Sequence, residues 1–209
     1  MKKLLFFDCE TTGLDSQKHE ICQFAAKVLY YENEKFIVPL NTPSTISVNI
    51  IPVFPELADP QAMAIHKLSI SDLQATGVSS FTFYNLLTDF FDLHINKFDP
   101  TDKFYPAGFN VEFDYQFLAS FFKRKLDNYF GSWTNHRIFD ALHTARMLAF
   151  CDIPPFNELS SFKLSHCINM LPLEQRPILV AHDAMSDIEA TIELFKYEVG
   201  ILNLLKTGW

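Results

Sequence analysis

The sequence is short of cysteine, has no excess of positive charge and contains no long apolar run. A net charge of −8 gives no general attraction to nucleic acids or anionic membranes. No run approaches the ~18 apolar residues of a membrane-spanning helix, and the N-terminal apolar run is too short for a signal peptide. We therefore expect a soluble, cytoplasmic protein with no membrane contact. The four cysteines are too dispersed for a CxxC zinc pattern or a dense disulfide framework, which predicts reduced, mostly buried thiols at Cys9, Cys22, Cys151 and Cys167.

Length and composition favour one folded domain over residues 1–209. Of the 209 residues, 48% are hydrophobic and 22 are phenylalanine, so the chain can bury one sizeable, aromatic-rich core. The sequence has no internal repeat, low-complexity tract or flexible linker. If the substrate is a polyanion, its attraction must come from local basic patches or from bound metal ions.

The order of the hydrophobic patterns predicts strands first, and strands alternating with helices later. Three apolar segments, 4–7, 19–31 and 36–38, predict an antiparallel meander, and residues 46–51 are compatible with a further short strand. Helical patterns follow at 60–66, 81–97, 111–125, 141–150 and 185–205, with a short strand just before residue 110. This order indicates one mixed sheet covered by helices.

Two carboxylates directly follow the first apolar run. Because side chains alternate along a strand, Asp8 and Glu10 project from one side and Cys9 from the other. Two like charges this close repel each other and lose hydration, which a bound cation would offset, so the pair is a candidate half of a metal site. The alternative is a core strand that simply surfaces here, with residues 11–13 as its turn.

A second acidic position lies in the helix predicted over 111–125. Asn110 is a candidate N-cap, and Asp114, about one turn into the helix, would then point toward the strand end. The alternative role of Asp114 is to complement the helix dipole.

A third acidic element opens the last helical pattern. Asp183 and Asp187 share a helix face, and His182 precedes or opens the first turn. A histidine on the lead-in to a helix suits a general base, and a carboxylate just inside the helix suits a metal ligand. The alternative role of Asp183 is that of an N-cap.

Taken in order, these segments resemble the three exonuclease motifs of the DnaQ-like DEDDh family of 3′→5′ exonucleases. The motifs are Asp8-x-Glu10 followed by Thr-Thr-Gly-Leu, then Asn110-x-x-Phe113-Asp114, and finally His182-x-x-x-x-Asp187. The resemblance covers residues 4 to about 195, with a weaker likeness at 64–68 to the family's substrate-contacting segment. It implies an α/β fold of the RNase H-like type, a mixed five-stranded sheet whose first three strands are antiparallel, flanked by helices.

The resemblance also implies a chemistry for the site. Two divalent cations, Mg²⁺ or Mn²⁺, would be held by Asp8, Glu10, Asp114 and Asp187, and His182 would act as general base. The implied reaction is hydrolysis of single-stranded 3′ ends, DNA in preference to RNA, to nucleoside 5′-monophosphates.

Substrate contacts are implied in the turn after the first motif and at two other positions. The residues are Thr11, Thr12, Gly13, Leu14, His66 and Asn110. Leu14 is either an apolar surface for a base or a core residue, and His66 either contacts the terminal sugar or phosphate or is a surface residue at a helix end. The basic run 123–125 either tracks a phosphate backbone or is a solvated helix end. His19 is expected to be structural.

Several functional alternatives stay open from the sequence alone. They are an exoribonuclease of the RNase T or oligoribonuclease kind, a proofreading subunit of a DNA polymerase, and a non-catalytic nucleic-acid-binding module that keeps the fold. Since little follows the last helical pattern beyond residues 206–209, an enzyme that acts alone is favoured over one tethered to a polymerase. A homodimer or a polymerase partner both remain compatible with the motifs.

Overall fold

A mixed β-sheet forms the centre of the computed structural model, which describes residues 1–180 and 182–207. The described residues do not include 181, 208 and 209. The last two belong to the short C-terminal stretch 206–209 considered above. The strands are β1 (Lys2–Thr11), β2 (Ile21–Glu32), β3 (Lys35–Ile37), β4 (Thr45–Asn49), β5 (Phe104–Gly108) and β6 (Phe139–Asp140). The helices are α1 (Pro60–His66), α2 (Ile70–Thr76), α3 (Ser80–Asp92), α4 (Val111–Arg124), α5 (Ala141–Phe150), α6 (Leu164–Cys167) and α7 (Ala184–Thr207).

The sheet has the order β3-β2-β1-β5-β6, and β4 also pairs with β2. Strands β1, β2 and β3 are antiparallel, whereas β5 and β6 are parallel to β1 and to each other. The sheet is therefore five strands wide but contains six strands, because β3 and β4 share the outer edge of β2. These pairings confirm the mixed sheet with an antiparallel first half and add β6, whose two residues are too few for any periodicity to reveal.

Strand β1 is the central strand and is buried on both faces. Leu5, Phe7 and Cys9 belong to the core cluster that includes residues of α3 and α4. Leu4 and Phe6 belong to the cluster on the opposite face, which includes residues of α5 and α7. Since side chains alternate along the strand, Asp8 and Glu10 lie on the α7 face and Cys9 on the α4 face, as the sequence predicts.

Asn110 occupies the N-cap position of α4, as predicted, but it does not cap the helix through its side chain. Asn110 has a left-handed backbone, with φ 60° and ψ 34°, and its side chain makes no capping hydrogen bond. Asparagine tolerates this conformation better than most residues. The backbone N–H of Asn110 instead donates to Oδ1 of Asp140 at 2.9 Å. The start of α4 is thus held by a carboxylate from the end of β6.

Helix α7 is the longest helix, with 24 residues. Within residues 1–180 and 182–207, no helix combines the length and apolar character needed to cross a bilayer. Three cysteine thiols, those of Cys9, Cys22 and Cys167, are buried, Cys151 is exposed, and all four are free.

Candidate active site

The C-terminal end of β1 is brought against the start of α4 by a glycine. A Cβ atom at Gly108 would lie 2.8 Å from Cβ of Val111 and 3.2 Å from the carbonyl oxygen of Phe7. These distances are shorter than those of ordinary contacts, so the absence of a side chain at Gly108 is what lets β5 and α4 pack this closely on β1.

This packing places Asp114 against the acidic end of β1. Asp114 is 4% exposed, and its Oδ1 accepts the backbone N–H of Cys9 at 3.0 Å. Burial and the nearby carboxylates of Glu10 and Asp140 raise the pKa of Asp114 well above its ordinary value, although the hydrogen bond from Cys9 opposes the shift. The first and second acidic segments therefore meet in the fold.

The first turn of α7 is attached to β2, next to β1. Oε1 of Gln23 accepts the backbone N–H of Ala184 at 3.1 Å, and Lys27 forms a 2.7 Å ion pair with Glu189. Asp183 accepts the backbone N–H of Ser186 through Oδ1 at 2.9 Å, which is the contact of a helix N-cap. The third acidic segment is thereby held over the α7 face of β1.

Glu10, His182 and Asp187 come together at this point. One atom of each side chain that could bind a metal ion, a carboxylate oxygen or an imidazole nitrogen, lies within 4.8 Å of the other two. His182 is exposed, has a left-handed backbone with φ 64°, and donates its backbone N–H to Oδ2 of Asp187 at 3.3 Å. The turn before α7 therefore presents the imidazole beside two carboxylates.

Burial and mutual repulsion raise the pKa values of these carboxyl groups. Burial, followed by the charges of Asp187 and Asp183, raises the pKa of Glu10 to about 7. Burial, followed by the carboxylates of Asp114, Glu10 and Asp187, raises the pKa of Asp8 well above its ordinary value, and burial also raises that of Asp187. Such a cluster is costly without a compensating positive charge, and its oxygen and imidazole donors fit a divalent cation.

The turn that follows β1 uses its hydroxyl groups internally. Thr11 donates its hydroxyl to the carbonyl oxygen of Gly13 at 2.7 Å, and the hydroxyl of Thr12 accepts the N–H of Glu20 at 2.9 Å. Both threonines are buried, whereas Leu14 is 76% exposed, so Leu14 is not a core residue. The turn presents an apolar side chain to solvent and keeps its threonine side chains inside.

The other two predicted substrate residues lie in different environments. His66 is 7% exposed, so the alternative of a surface residue at a helix end is wrong. Its Nε2 lies 3.3 Å from the carbonyl oxygen of Thr11, and its Nδ1 accepts the N–H of Leu68 at 3.1 Å. Asn110 is exposed. His66 thus lies against the end of β1, and of these two residues Asn110 is the one with an exposed side chain.

Sequence patterns missed two residues that organise this region. Gln23 anchors α7 across 161 positions of sequence, and nothing in the local pattern of β2 marks it. Asp140 accepts the N–H groups of both Asn110 and Leu142 through Oδ1. Its position directly before the helical pattern 141–150 is a usable cap signal, but the contact with Asn110 depends on strand pairing.

The sequence profile of the exonuclease family matches residues 5–195. This match covers most of the chain, so the chain belongs to the RNase T-type exonuclease family, a class of phosphodiester-hydrolysing enzymes. Membership confirms the resemblance to DnaQ-like DEDDh exonucleases.

Structures of Escherichia coli exonuclease I are similar in fold. The complex with a dT13 oligonucleotide has 22% identity and a TM-score of 0.71, and the match covers 99% of this chain and 44% of that one. The zinc-bound complex with single-stranded DNA has 24% identity, a TM-score of 0.71, and coverages of 99% and 41%. At this identity the likeness shows a shared fold, and the chain spans less than half the length of those exonuclease I chains. No curated protein matches the sequence.

Proposed function

We propose that this chain is a metal-dependent 3′→5′ exonuclease that removes nucleoside 5′-monophosphates from single strands, DNA in preference to RNA. The observation that carries the proposal is the convergence of Glu10, His182 and Asp187, with one donor atom of each within 4.8 Å of the others. The preference for single-stranded DNA is supported by the fold shared with exonuclease I, which was crystallised with dT13 and dA16. We assign the whole of residues 1–209 to one exonuclease domain.

The acidic cluster is proposed to hold two divalent cations, Mg²⁺ or Mn²⁺. Their ligands would be Asp8, Glu10, Asp114 and Asp187, whose oxygen atoms are the donors that these hard cations prefer. When bound, such ions activate a water molecule and stabilise the departing 3′-oxygen. The raised pKa values of Asp8, Glu10 and Asp114 support the assignment, because they reflect burial and the repulsion of neighbouring carboxylates, which a bound cation would relieve as a proton does.

His182 is proposed to be the general base. Its imidazole is exposed, so a water molecule can reach it, and it lies beside Glu10 and Asp187. Imidazole is a common general base in enzymes, because it can accept a proton from water and later release it. The hydrogen bond from its backbone N–H to Asp187 fixes the turn that carries it.

The turn after β1 is proposed to bind the 3′-terminal nucleotide. Within the described residues, the backbone N–H groups of Gly13 and Leu14 have no protein acceptor, so they are free to donate to the substrate. The exposed side chain of Leu14 offers an apolar surface for the terminal base. Thr11 and Thr12 use their hydroxyls within the turn, and Thr12 also pairs its backbone with Glu20 and Asp59. We therefore expect both threonines, with His66 against the carbonyl oxygen of Thr11, to act by fixing the turn, and the exposed Asn110 to contact the substrate directly.

The deciding experiment is digestion of matched, end-labelled oligonucleotides in Mg²⁺ or Mn²⁺. We expect 3′→5′ release of nucleoside monophosphates from single-stranded DNA, slower release from RNA of the same sequence, and little from a blunt duplex. Equal or faster hydrolysis of RNA would replace the DNA preference by the exoribonuclease alternative. Absence of hydrolysis on every substrate, with cation binding intact, would instead support a non-catalytic binding module.

The same preparation tests the proposed partners. We favour a chain that hydrolyses single strands alone, so activity should not require an added polymerase, and sedimentation of the active fraction determines whether it is a monomer or a homodimer. The free thiols of all four cysteines fit the reducing cytoplasm predicted from the sequence.

A further inference from the structure

The loop between the acidic strand end and β2 is folded around His19. The backbone N–H of Asp15 donates to Nδ1 of His19 at 3.1 Å. The imidazole also lies against Gly13, where an added Cβ would be only 2.5 Å from the ring. The loop therefore closes on itself directly beside the turn that is proposed to bind the strand end.

Helix α4 holds this loop from outside. Nη2 of Arg124 donates to the carbonyl oxygens of Ser16 and His19 at 2.7 and 2.8 Å. Nε2 of Gln17 donates to Oγ of Ser120, also on α4, at 2.8 Å. A single guanidinium nitrogen thus joins both ends of the segment 16–19, and hydrogen bonds from a charged donor are stronger than those between neutral groups.

The contacts of Arg124 argue against a role for the basic run 123–125 as a whole in tracking phosphates. Arg124 points at carbonyl oxygens of the loop, and Nζ of Lys125 donates to Oγ of Ser80 at 2.7 Å while lying 5.5 Å from the ring centre of Phe121. Lys123 is exposed and makes no such contact among the described residues. The adjacent side chains of Lys123 and Arg124 therefore carry the same charge, but only Arg124 is bound to the loop.

A short series of hydrogen bonds connects Arg124 to the proposed binding turn. Residue Glu20, next to His19, accepts the N–H of Thr12 through its carbonyl oxygen at 2.8 Å and donates its own N–H to the Thr12 hydroxyl at 2.9 Å. Its carboxylate accepts the N–H of Phe54 at 2.8 Å. Fixing the carbonyl oxygen of His19 thus also fixes the backbone that pairs with Thr12, two residues after Glu10.

We infer that Arg124 is a positioning residue for the 3′-terminal nucleotide: by holding the loop 13–20 it keeps the turn at Thr12 to Leu14 in its binding conformation. The inference rests on the proposed function. If the guanidinium is removed, the turn is in the competent conformation for a smaller fraction of the time, and the apparent affinity falls by that fraction. Arg124 lies outside the acidic cluster, so we expect a rise in KM with little change in kcat.

The test compares Arg124→Ala, Arg124→Lys and Lys123→Ala, using steady-state hydrolysis of a single-stranded DNA oligonucleotide. We expect Arg124→Ala to raise KM about tenfold with kcat within about threefold of the unaltered protein. Arg124→Lys should recover part of the loss, because an ammonium group can reach one of the two carbonyl oxygens. Lys123→Ala removes the same charge from the adjacent position, which is also exposed, and should leave KM unchanged.

Equal increases in KM for Arg124→Ala and Lys123→Ala, each with a shallower dependence on salt, would mean that both residues act through charge, and would overturn the inference. Hydrogen exchange of residues 12–20 supplies a readout that needs no substrate. We expect faster exchange there in Arg124→Ala alone, with thermal unfolding close to that of the unaltered protein. Unaltered protein that hydrolyses nothing would refute the proposed function, yet exchange would still decide whether Arg124 holds the loop. Unchanged exchange in Arg124→Ala would refute that claim.

Discussion

The backbone N–H of Cys9 donates a 3.0 Å hydrogen bond to Oδ1 of Asp114, joining residues 105 positions apart in sequence. Because the donor belongs to the main chain, the bond does not depend on the Cys9 side chain, which faces the core. One oxygen of Asp114 is therefore oriented by the main chain of β1.

Replacing Asp114 by Asn and by Ala separates its charge from its hydrogen bond. Both variants should lose hydrolysis, because the negative charge is gone. In chelator, Asp114→Asn should be the more stable of the two by about 1–3 kcal/mol, since its amide oxygen still accepts the Cys9 N–H, which Ala leaves unpaired. Chemical denaturation measures the difference. Glu112→Gln, an exposed change in the same helical turn, is the control, and equal stabilities of the two Asp114 variants would exclude a role for this bond.

Cation binding should stabilise the folded chain. With free Mg²⁺ or Mn²⁺ at 100 times the dissociation constant, the expected gain is about 2.7 kcal/mol. Glu10→Gln and Asp8→Asn should abolish both the gain and the hydrolysis, because each removes a ligand. The measurement is thermal unfolding with and without cation, alongside activity before and after chelation. Hydrolysis that persists in chelator would contradict the two-metal assignment.

The change His182→Ala tests whether the imidazole is a base or a ligand. If the imidazole is a general base, its removal should lower kcat by roughly 10²–10⁴. The stabilisation by cations should remain, because the carboxylates still hold them. His136→Ala, a change at an exposed histidine before β6, should alter neither kcat nor the stabilisation by cations. Loss of the cation-induced stabilisation in His182→Ala would reassign the imidazole as a ligand, a role that its distance to Glu10 and Asp187 also permits.

Glu198 on α7 predicts a dependence of stability on pH. Its side chain is fully buried, neither carboxyl oxygen has a hydrogen-bond partner within the described residues, and burial together with Asp140 raises its pKa to about 9. The folded state keeps the proton that the unfolded state loses above about pH 4.5, so stability falls as pH rises from about 4.5 to about 9. Glu198→Gln should remove the part of this slope that Glu198 contributes, leave the part from the acidic cluster, and stabilise the protein by roughly 3 kcal/mol at pH 7.

The measurement is denaturant unfolding of Glu198→Gln across pH 5 to 9. Glu193→Gln serves as the control, because Glu193 is only partly buried and pairs with Lys196 near the surface. Parallel stability curves for Glu198→Gln and the unaltered protein would show that Glu198 does not carry the proton.

Local patterns predicted much of this fold because the signals are local. The run into Asp8 and Glu10 predicts a strand that surfaces at two carboxylates, and Pro60 after Asp59 predicts the start of α1. Features that depend on distant partners were missed. The left-handed backbone of Asn110 reflects its bond to Asp140, and two-residue β6 exists only through its pairing with β5.

The same distinction applies to the candidate site. Residue type and spacing selected the acidic residues and His182, because the chemistry requires those groups. The surroundings of Arg124 and His66 were not predictable, because each is defined by carbonyl oxygens that the fold brings from another segment: Ser16 and His19 in one case, Thr11 in the other.

The attachment of Ala184 to Gln23 has a consequence for synthesis. The two residues lie 161 positions apart, so the third acidic segment reaches its place only after all the residues between Gln23 and Ala184 have been synthesised. A nascent chain that has emerged only through α4 has Asp8, Glu10 and Asp114 but lacks Asp187. The acidic cluster that is proposed to bind cations is therefore completed only when residues 184–187 join the fold, and no local segment contains it.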